Sequence, residues 1–485
     1  MNDLVVRDVL IVDGTGAPGT VGDVTVKDGR VTDVGGTAGR AKRDVDGAGL
    51  CLAPGFIDAH THDDGALLRH PSMWFKSSQG ITTAIIGNCG KSAASSPEAH
   101  WTLRALFLER PFDDVDAHRE ALRRTPASIN AMPLIGHNTI RERVMGMEER
   151  PANTRELDEM RALVRNAMEQ GACGLSTGLI YAPGKWASTD EILTLAQEVT
   201  PFDGIYASHM RDEYAHLLEA VEETLSIGAG AGIGVQISHH KAAISTNWGK
   251  VAESLAIVDA AVEAGQDITL DVYPYIAGSG PMAQYFRDEI DMDFAAGTHL
   301  SSCPSFPHYE GRMLFEIAET AGMSVEEAIH HIIDAPGGEQ TICLTYLMSE
   351  DDVETNLRHP LVMIGSDGIP QLEGKPHPRL VGTFPRVLGE YVRNRGVAPF
   401  EEMIRRMTSL PAGRFGLAGR GRIAVDHHAD LVLLDAERVI DRATFDDPLA
   451  LSDGIEMVVV GGVPVWEAGR DTGQRPGSVL RYRDE

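Results

Sequence analysis

The chain has 485 residues, of which 43 are basic and 71 acidic, and its formal net charge is −28. Nucleic acids and anionic membranes bind proteins through basic surfaces, so this charge argues against both as partners. Hydrophobic residues make up 43% of the chain, which is ordinary for a globular protein. The sequence contains no run of about 18 apolar residues that would predict a membrane span.

The cysteines and the N-terminus indicate the compartment. The five cysteines are odd in number and widely scattered, so they do not have the pattern of a disulfide framework. The first residues, MNDLVVRDVLIVDG, carry acidic side chains early and lack the basic start and apolar core of a signal peptide. We therefore expect a cytoplasmic protein with reduced cysteines.

Both ends of the chain have the pattern of β-hairpins. Near the N-terminus, GDVTVKDGRVTDVGG alternates apolar and polar residues between tight turns, and GIEMVVVGGVPVWEAG does the same near the C-terminus. Neither end has enough apolar residues to fold alone. We therefore expect residues 1–53 and 415–485 to form one small β-sandwich domain.

The middle of the chain, residues 54–414, alternates short apolar strands with amphipathic helical stretches. The predicted strands are 55–60, 80–87, 129–136, 172–178, 204–209, 234–239, 267–274 and 361–367. Eight strands that alternate with helices are typical of an α/β fold with a parallel (β/α)₈ barrel, or TIM barrel. The stretches 90–128 and 276–360 are longer than ordinary connections, and we expect a substrate-binding insertion near 276–360.

Candidate ligands and bases stand at the ends of these strands. In FIDAHTHDD, His60 and His62 are two residues apart, so in a strand they point to one face. Each such residue alone has an ordinary structural role, as a loop cap or a core residue. The ends of parallel barrel strands, however, meet at one rim, where active sites form. The other candidates at strand ends are Cys89, His209, His239, His240, Lys241 and Asp367.

The residue types of this set fit zinc. Imidazole and thiolate are the usual zinc donors, and a catalytic zinc keeps one position open for water. Cys89 stands between Gly87 and Gly90, where the backbone can turn tightly, so we favour a ligand over a core cysteine. Adjacent residues of a strand face opposite sides, so only one of His239 and His240 can face the metal.

Motifs along most of the chain carry a family resemblance. Between residues 53 and 435 they are APGFIDAHTHDD, QGITTAIIGNCG, GACGLSTGLIYAPG, SHMRDE, ISHHKA, NWGK, DVYPY, MIGSDG, PHPRLVGTFPRVLGEYVR, MTSLPAGRFGL and RGRIAVDHHADLVLLD. With them the chain resembles the amidohydrolase superfamily and, within it, the N-acyl-D-amino-acid deacylases (D-aminoacylases). Many superfamily members use a carboxylated lysine after strand four, where this chain has GLSTGL. The resemblance implies a zinc enzyme that hydrolyses the amide bond of small N-acyl-D-amino acids.

The resemblance also implies which residues bind metal. In the resembled family a cysteine and two histidines hold one tight zinc ion, and the HxH pair forms a second, weaker site. The matching residues are Cys89, His209 and His239 for the first site and His60 and His62 for the second. The match selects His239 rather than His240.

The remaining roles concern the substrate. By resemblance, Asp367 is the catalytic acid/base, and a carboxylate beside an activated water can accept its proton and later deliver it to the departing nitrogen. Lys241, Tyr273 and Arg379 match residues that grip the substrate α-carboxylate. Arginine suits this role because it binds a carboxylate through paired hydrogen bonds.

One segment departs from the family pattern. The stretch PMAQYFRDEIDMDFAAGTHLSSCPSFPHYEGR is closest in length to the acyl-D-glutamate branch, but Thr298 or His299 stands where that branch has an extra arginine. We therefore expect neutral D-amino acids, with N-acyl-D-glutamate or N-acyl-D-aspartate deacylation as the alternative. The match of Lys241, Tyr273 and Arg379 to residues that bind a substrate α-carboxylate argues against cyclic amide hydrolysis, as in hydantoinases and dihydroorotases. A barrel that serves only as a non-catalytic scaffold would be expected to have lost metal ligands, and none of the predicted ligands is missing from the sequence.

Overall fold

The computed structural model of the protein describes residues 1–97, 101–287 and 290–484. In chain order, the strands are β1 (Asn2–Ile11), β2 (Thr20–Lys27), β3 (Arg30–Gly36), β4 (Ala41–Asp46), β5 (Cys51–Pro54), β6 (Phe56–Asp58), β7 (Ile81–Ile86), β8 (Asn130–Pro133), β9 (Ile135–Gly136), β10 (Gly174–Gly178), β11 (Ile205–His209), β12 (Gly234–Ile237), β13 (Ile268–Val272), β14 (Ala277–Pro281), β15 (Thr298–Ser302), β16 (Ile342–Tyr346), β17 (Val362–Ile364), β18 (Leu431–Leu434), β19 (Ile455–Val460), β20 (Val463–Glu467) and β21 (Arg470–Asp471).

Helices connect these strands. They are α1 (Ala66–Arg69), α2 (Trp74–Ser77), α3 (Trp101–Ala105), α4 (Val115–Arg124), α5 (His137–Met145), α6 (Thr154–Glu169), α7 (Thr189–Ala196), α8 (Leu217–Ala231), α9 (Lys250–Glu263), α10 (Met282–Phe286), α11 (Met292–Ala296), α12 (Leu314–Ala321), α13 (Val325–Ile333), α14 (Glu350–Arg358), α15 (Arg379–Arg386, followed by a π-helix, Val387–Asn394), α16 (Phe400–Met407) and α17 (Ser409–Arg414). Within the described ranges, none of the helices is both long and apolar enough to cross a membrane.

The barrel predicted for the middle of the chain is confirmed. Parallel strands β6, β7 and β8 form one arc of it, and β9, β10, β11, β12, β13 and β17 form the other. A hydrogen bond of 2.9 Å from Cys173 N to Pro133 O joins the arcs on one side. A hydrogen bond of 3.2 Å from Ala59 N to Ile364 O joins them on the other. Every residue of β7, β10, β11 and β13 is buried, as expected for parallel strands covered on both faces.

A second unit joins both ends of the chain. In the described residues it is a sheet of nine strands, in the order β21-β20-β19-β18-β5-β1-β2-β3, with β4 beside β1. Antiparallel pairing of β5 with β18 links the two ends, for example Leu52 with Leu433. Leu4, Val24 and Val459, which come from both ends, lie in one apolar core. The prediction of a β domain built from both termini is confirmed.

The β domain passes directly into the barrel. Gly55 separates β5 from β6, and a Cβ atom at this position would collide with Thr82. Val432 and Val458 of the β domain belong to the same hydrophobic core as Phe56 at the start of the barrel. The two units therefore share buried apolar surface, which stabilises each by about 25 cal/mol per Å² removed from water.

The segment between β13 and β17 folds as a small layer of its own. Its strands form an antiparallel sheet in the order β14-β16-β15, and α10 to α13 accompany them. This layer lies within the predicted insertion at 276–360, of which residues 288–289 lie outside the described residues. At the end of the segment α14 returns to the barrel, where Asn356 Oδ1 lies 2.7 Å from His240 Nδ1.

The last residues of the chain return to the barrel at its N-terminal end. The backbone nitrogens of Gly477, Leu480 and Tyr482 donate hydrogen bonds of 2.9, 2.8 and 3.0 Å to carbonyl groups of residues 127, 131 and 171. These acceptors lie before or within β8 and before β10. The tail therefore fastens the edge of the barrel that faces away from the carboxyl ends of the strands.

A truncated variant limited to residues 54–414 tests the domain boundaries. We expect it to lose solubility and cooperative unfolding, because it exposes core residues that the β domain covers and loses the tail. Thermal unfolding followed by circular dichroism would measure this. A matched variant that lacks only residues 476–485 separates the contribution of the tail. A 54–414 variant that unfolds as cooperatively as the whole chain, and at the same temperature, would contradict the predicted boundaries.

Candidate active site

Barrel strands bring a cysteine and histidines to one point at the C-terminal rim. Cys89 follows β7, and its Sγ lies 3.3 Å from Nε2 of His60 and 3.3 Å from Nε2 of His239. Nδ1 of His209, at the end of β11, lies 3.6 Å from the same sulfur. All four side chains are buried. Candidate ligands from four separate motifs therefore meet in space.

The backbone is strained around this point. Cys89, His239 and Asp367 have φ angles of 52°, 35° and 48°, in the left-handed region that residues other than glycine rarely adopt. Gly87 and Gly90, with φ of 81° and 73°, flank the cysteine and let the chain turn tightly. Such conformations cost roughly 1–3 kcal/mol each and persist where surrounding contacts hold them. They aim a sulfur, an imidazole and a carboxylate into the same space.

The environment of Cys89 favours its thiolate form. Burial by itself raises the pKa of a thiol, but His60 and His239 beside the sulfur hold the pKa of Cys89 well below its usual value. Among the described residues, two groups have ligand atoms that all lie within 4.8 Å of one another: Cys89, His209 and His239, and His60, His62 and Cys89. A thiolate and imidazoles at this spacing fit the donor set of zinc. We refer to these five residues as the metal cluster.

Asp367 follows β17 and lies between the histidine pair and a buried arginine. Its Oδ1 is 3.1 Å from Nε2 of His62, and its Oδ2 is 3.0 Å from Nη1 of Arg379. Burial by itself raises the pKa of a carboxyl group, but Arg379 and His62 hold the pKa of Asp367 well below its usual range. The group is therefore held as an ionised carboxylate, and it lines the cavity.

His239 and His240 follow the end of β12 and face opposite directions. His239 faces Cys89, whereas His240 lies with Nδ1 2.7 Å from Asn356 Oδ1 and Nε2 2.8 Å from Ser254 Oγ. These partners belong to the helices α14 and α9. His240 therefore takes part in the packing of the barrel against its helices, away from the metal cluster.

Glu213 is a residue of the site that sequence analysis did not single out. Its Oε1 accepts a hydrogen bond of 2.7 Å from Lys241 Nζ and lies 3.0 Å from Nδ1 of His239, while Oε2 lies 3.7 Å from Nε2 of His209. Burial alone would raise the pKa of Glu213, but Lys241 and the two histidines hold it far below the usual range. A carboxylate on the outer nitrogen of a ligand histidine fixes the orientation of its ring. The available signal was the acidic residue four positions after His209 in SHMRDE.

A buried lysine beneath the rim was also missed. Lys76 Nζ donates hydrogen bonds of 2.8 Å to Asp58 Oδ2 and of 2.8 Å to Ser366 Oγ, and lies 3.1 Å from Asp63 Oδ2. Asp58 also accepts a hydrogen bond of 2.7 Å from the backbone nitrogen of Ser366. Asp58 ends β6 and Ser366 precedes Asp367, so this network fixes the first and last barrel strands beside each other.

The residues predicted to grip a carboxylate gather around one aromatic ring. The guanidinium carbon of Arg379 lies 4.5 Å from the ring centroid of Tyr273, and Lys241 Nζ lies 5.8 Å from it. Nε of Arg379 is buried and has no hydrogen-bond partner within the described chain. His377 accepts a 3.0 Å hydrogen bond from the backbone nitrogen of Arg379, which fixes the start of α15. We refer to Lys241, Tyr273 and Arg379 as the carboxylate clamp.

A cavity of about 780 Å³ opens above the metal cluster. Its lining includes His62, Cys89, His209, His239, Lys241, Tyr273 and Asp367. Thr298 and His299 are not among the described lining residues: Thr298 Oγ1 donates to Phe294 O at 2.9 Å, and the ring of His299 packs against Tyr346. Another residue of the insertion, Arg287, does line the cavity.

Comparison with known proteins agrees with this geometry. The Amidohydrolase family matches residues 44–326 and 315–466 of the chain. The chain belongs to the Amidohydrolase family. The matched regions contain the metal cluster, the carboxylate clamp and the barrel that positions them, so the predicted family membership is confirmed.

Relatives of this amidohydrolase are similar over nearly their whole length. A D-aminoacylase from Alcaligenes xylosoxydans xylosoxydans is 42% identical, with 99% of this chain and 97% of the relative covered. An N-acyl-D-aspartate deacylase from the same organism is 40% identical, with 99% and 95% covered. An N-acyl-D-glutamate deacylase, also from that organism, is 38% identical, with 99% and 96% covered.

Solved structures of amidohydrolases share the architecture. A D-aminoacylase crystal structure superposes with a TM-score of 0.92 at 41% identity, covering 99% of this chain and 100% of that one. An N-acyl-D-glutamate deacylase from Bordetella bronchiseptica, solved with zinc and a phosphonate that mimics the tetrahedral intermediate, gives a TM-score of 0.93 at 37% identity with 99% of each chain covered. A D-hydantoinase, at 16% identity and a TM-score of 0.59, shares the fold.

Replacement of Glu213 by glutamine tests how much its buried pairing with Lys241 stabilises the protein. Lys241 would keep its buried charge and lose its carboxylate partner, so we expect Glu213→Gln to lower the free energy of unfolding by about 3–5 kcal/mol. Chemical denaturation of chelator-treated protein would measure this. The matched control is Glu223→Gln, because Glu223 pairs at 2.9 Å with the more exposed Arg211 and should cost about 1 kcal/mol or less. Equal losses in the two variants would contradict the special role of Glu213.

Proposed function

We propose that this amidohydrolase is a zinc-dependent enzyme that hydrolyses N-acyl-D-amino acids to a carboxylate and a free D-amino acid. The observation that carries the proposal is the position of Asp367, which lies in one cavity between the metal cluster and the carboxylate clamp. Similarity to a D-aminoacylase along 99% of the chain supports the same conclusion.

The proposed ligands of the tight zinc are Cys89, His209 and His239, and those of a weaker second site are His60 and His62. Two groups of side chains with ligand atoms within 4.8 Å of one another, both of which include Cys89, support a metal site here, and likeness to D-aminoacylase supports the division into two sites. Zinc bound there polarises the acyl carbonyl and lowers the pKa of a water molecule toward about 7. Glu213 holds the outer nitrogen of His239, so that Nε2 stays directed toward the sulfur.

Asp367 supplies the proton transfer in this proposal. An amine is a poor leaving group unless it is protonated, so the reaction needs one group that takes a proton from water and later gives it to the nitrogen. The ionised carboxylate of Asp367 faces the cavity and suits both steps. Its contacts with His62 and Arg379 hold it in one orientation during the transfer.

The carboxylate clamp would bind the α-carboxylate of the substrate and so select the configuration at the α-carbon. Lys241 and Tyr273 line the cavity, whereas Arg379 is not among the described lining residues and lies behind them, in contact with Asp367 and the ring of Tyr273. Once the acyl carbonyl and the α-carboxylate are fixed, the two enantiomers direct the side chain to different places, one toward the loop after the seventh barrel strand and the other toward the barrel wall, so one enantiomer is favoured. Loss of a buried charged pair costs about 2–5 kcal/mol. Likeness to D-aminoacylase supports D as the favoured hand.

We infer neutral D-amino acids as the preferred substrates, because neither Thr298 nor His299 faces the cavity within the described lining. One observation favours the second candidate, deacylation of N-acyl-D-aspartate or N-acyl-D-glutamate: Arg287 lines the cavity and lies 3.8 Å from Asp334, a distance too long for a tight pair.

The free, buried state of the five cysteines supports a reducing cytoplasmic location.

Cyclic amide hydrolysis has weaker support. The D-hydantoinase is similar in fold alone, and a cyclic amide has no free α-carboxylate to occupy the clamp. The non-catalytic scaffold is opposed by the presence of every predicted ligand in one cluster.

A panel of N-acetyl amino acids tests the proposal. We expect zinc-loaded protein to hydrolyse N-acetyl-D-leucine and N-acetyl-D-methionine and to leave the L-forms unchanged, because the clamp and metal cluster fix two of the three substituents. N-acetyl-D-glutamate and N-acetyl-D-aspartate in the same panel distinguish the second candidate. Amine release measured with ninhydrin is the readout. Comparable turnover of D- and L-forms would refute the clamp.

Two substitutions separate metal binding from proton transfer. Cys89→Ala should lose nearly all bound zinc, because it removes the thiolate shared by both donor groups. Asp367→Asn should keep zinc and lose about 10²–10⁴-fold in kcat, since it removes the acid/base group. Metal analysis by atomic absorption together with steady-state kinetics gives both values. Full zinc in Cys89→Ala, or ordinary kcat in Asp367→Asn, would remove that residue from the mechanism.

A further inference from the structure

The order of the barrel strands divides the cavity into two sides. The carboxylate clamp comes from the rim after β12 and β13 and from α15, which follows β17. The loops after β7, β9 and β10 lie across the ring from them, because the strands succeed one another around the barrel. With the scissile amide at the metal cluster and the α-carboxylate in the clamp, the acyl group points toward those opposite loops.

The opposite side of the cavity carries apolar side chains. The residues that line it there are Leu103, Phe107, Leu108, Met147, Ile180 and Trp186, which we call the acyl wall. Five of them are half-buried, and Met147 is 44% exposed. They come from three successive connections of the barrel, so their apolar surfaces face one shared space. An apolar surface of this kind inside a cavity gains free energy when a ligand removes it from water.

The basic residues among these loops have partners of their own. The guanidinium of Arg69 lies 5.4 Å from the ring centroid of Phe107, and Lys185 Nζ lies 5.6 Å from that of Trp186. Arg104 pairs with Glu339 at 3.0 Å. Lys91 Nζ, which also lines the cavity, lies 4.7 Å from the ring centroid of Tyr181. Each of these charges thus contacts an aromatic ring or a carboxylate, which leaves the apolar wall as the surface for the end of the substrate.

The cavity is larger than an N-acetyl amino acid needs. Its volume of about 780 Å³ falls in the upper part of the range of roughly 300–1,000 Å³ that suits drug-sized ligands. N-acetyl-leucine would occupy the clamp and the metal cluster and leave the acyl wall facing water.

We propose that the acyl wall is a subsite for an unbranched aliphatic acyl chain, so that the natural substrates are N-acyl-D-amino acids of medium chain length. This inference rests on the proposed hydrolysis of N-acyl-D-amino acids and names their acyl group. The amide carbonyl stays at the metal cluster, and each added methylene extends along the wall between the loops that follow β7 and β10. The products are then a medium-chain fatty acid and a D-amino acid.

A series of N-acyl-D-leucines from acetyl through butanoyl, hexanoyl and octanoyl to decanoyl tests the subsite. Burial of one methylene is worth about 0.8 kcal/mol, so we expect kcat/KM to rise up to about fourfold per methylene until the wall is covered. A flat or falling series overturns the inference while leaving the proposed function intact. N-succinyl-D-leucine is the charged comparison, and its preference over the hexanoyl compound would show that the basic residues read the acyl end.

Variants on opposite sides of the cavity locate the effect. Trp186→Ser should reduce the ratio of octanoyl to acetyl kcat/KM at least tenfold. Ile369→Ser is the matched control, because Ile369 is also half-buried and lines the cavity but follows β17, across the barrel. Ile369→Ser should have the same ratio of octanoyl to acetyl kcat/KM as the unmodified protein. Equal changes in the two variants would contradict the placement of the acyl chain.

Binding of the product provides a test that needs no turnover. Isothermal titration should show decanoate binding at least tenfold more tightly than acetate, with this difference lost in Trp186→Ser and kept in Ile369→Ser. If no N-acyl-D-amino acid is hydrolysed and this difference still appears, the proposed function fails and the apolar subsite stands. If decanoate and acetate bind alike, the subsite is excluded whatever the enzyme hydrolyses.

Discussion

The buried thiolate of Cys89 is the group on which the rest of the site depends. A charge in the interior costs several kcal/mol unless opposite charges and hydrogen bonds compensate it. Compensation here extends outward in alternating layers. Imidazoles such as His239 surround the sulfur, Glu213 and Asp271 lie on the outer nitrogens of the histidines, and Lys241 neutralises Glu213.

If the function is as proposed, this layered arrangement couples metal binding to substrate recognition. Lys241 neutralises the carboxylate behind a ligand histidine and also belongs to the carboxylate clamp, while Arg379 contacts both Asp367 and the ring of Tyr273. Each residue of the clamp reaches the metal cluster either directly or through one intervening side chain. Lys241 contacts His239 directly, Tyr273 is linked through Lys241, and Arg379 is linked through Asp367. A substitution of Lys241 or Arg379 therefore changes the charge balance around Glu213 or Asp367.

The sequence predicted the barrel and the candidate ligands because their signals are local. Strand periodicity, turn pairs and an HxH motif at a strand end are visible in a few residues, and the parallel topology then places all strand ends together. Glu213 and Lys76 were missed because each looks like an ordinary charged residue of a loop or helix. Their importance comes from partners on other strands, which a single sequence does not reveal. The same limit applies to the side-chain specificity: Thr298 and His299, the positions aligned with the extra arginine of the acyl-D-glutamate branch, pack within the insertion layer.

The network of Lys76 with Asp58 and Ser366 has a consequence for biosynthesis. Asp58 and Ser366 are 308 residues apart in the chain, and they meet when the last barrel strand arrives beside the first. Until then the nascent protein holds an open strand edge and a lysine whose partners are incomplete, and contacts of such long separation form slowly. Incomplete chains of this kind expose apolar surface and aggregate readily. The ring of the barrel therefore closes only after residue 366 has been synthesised, and the active-site cavity is complete only from then on.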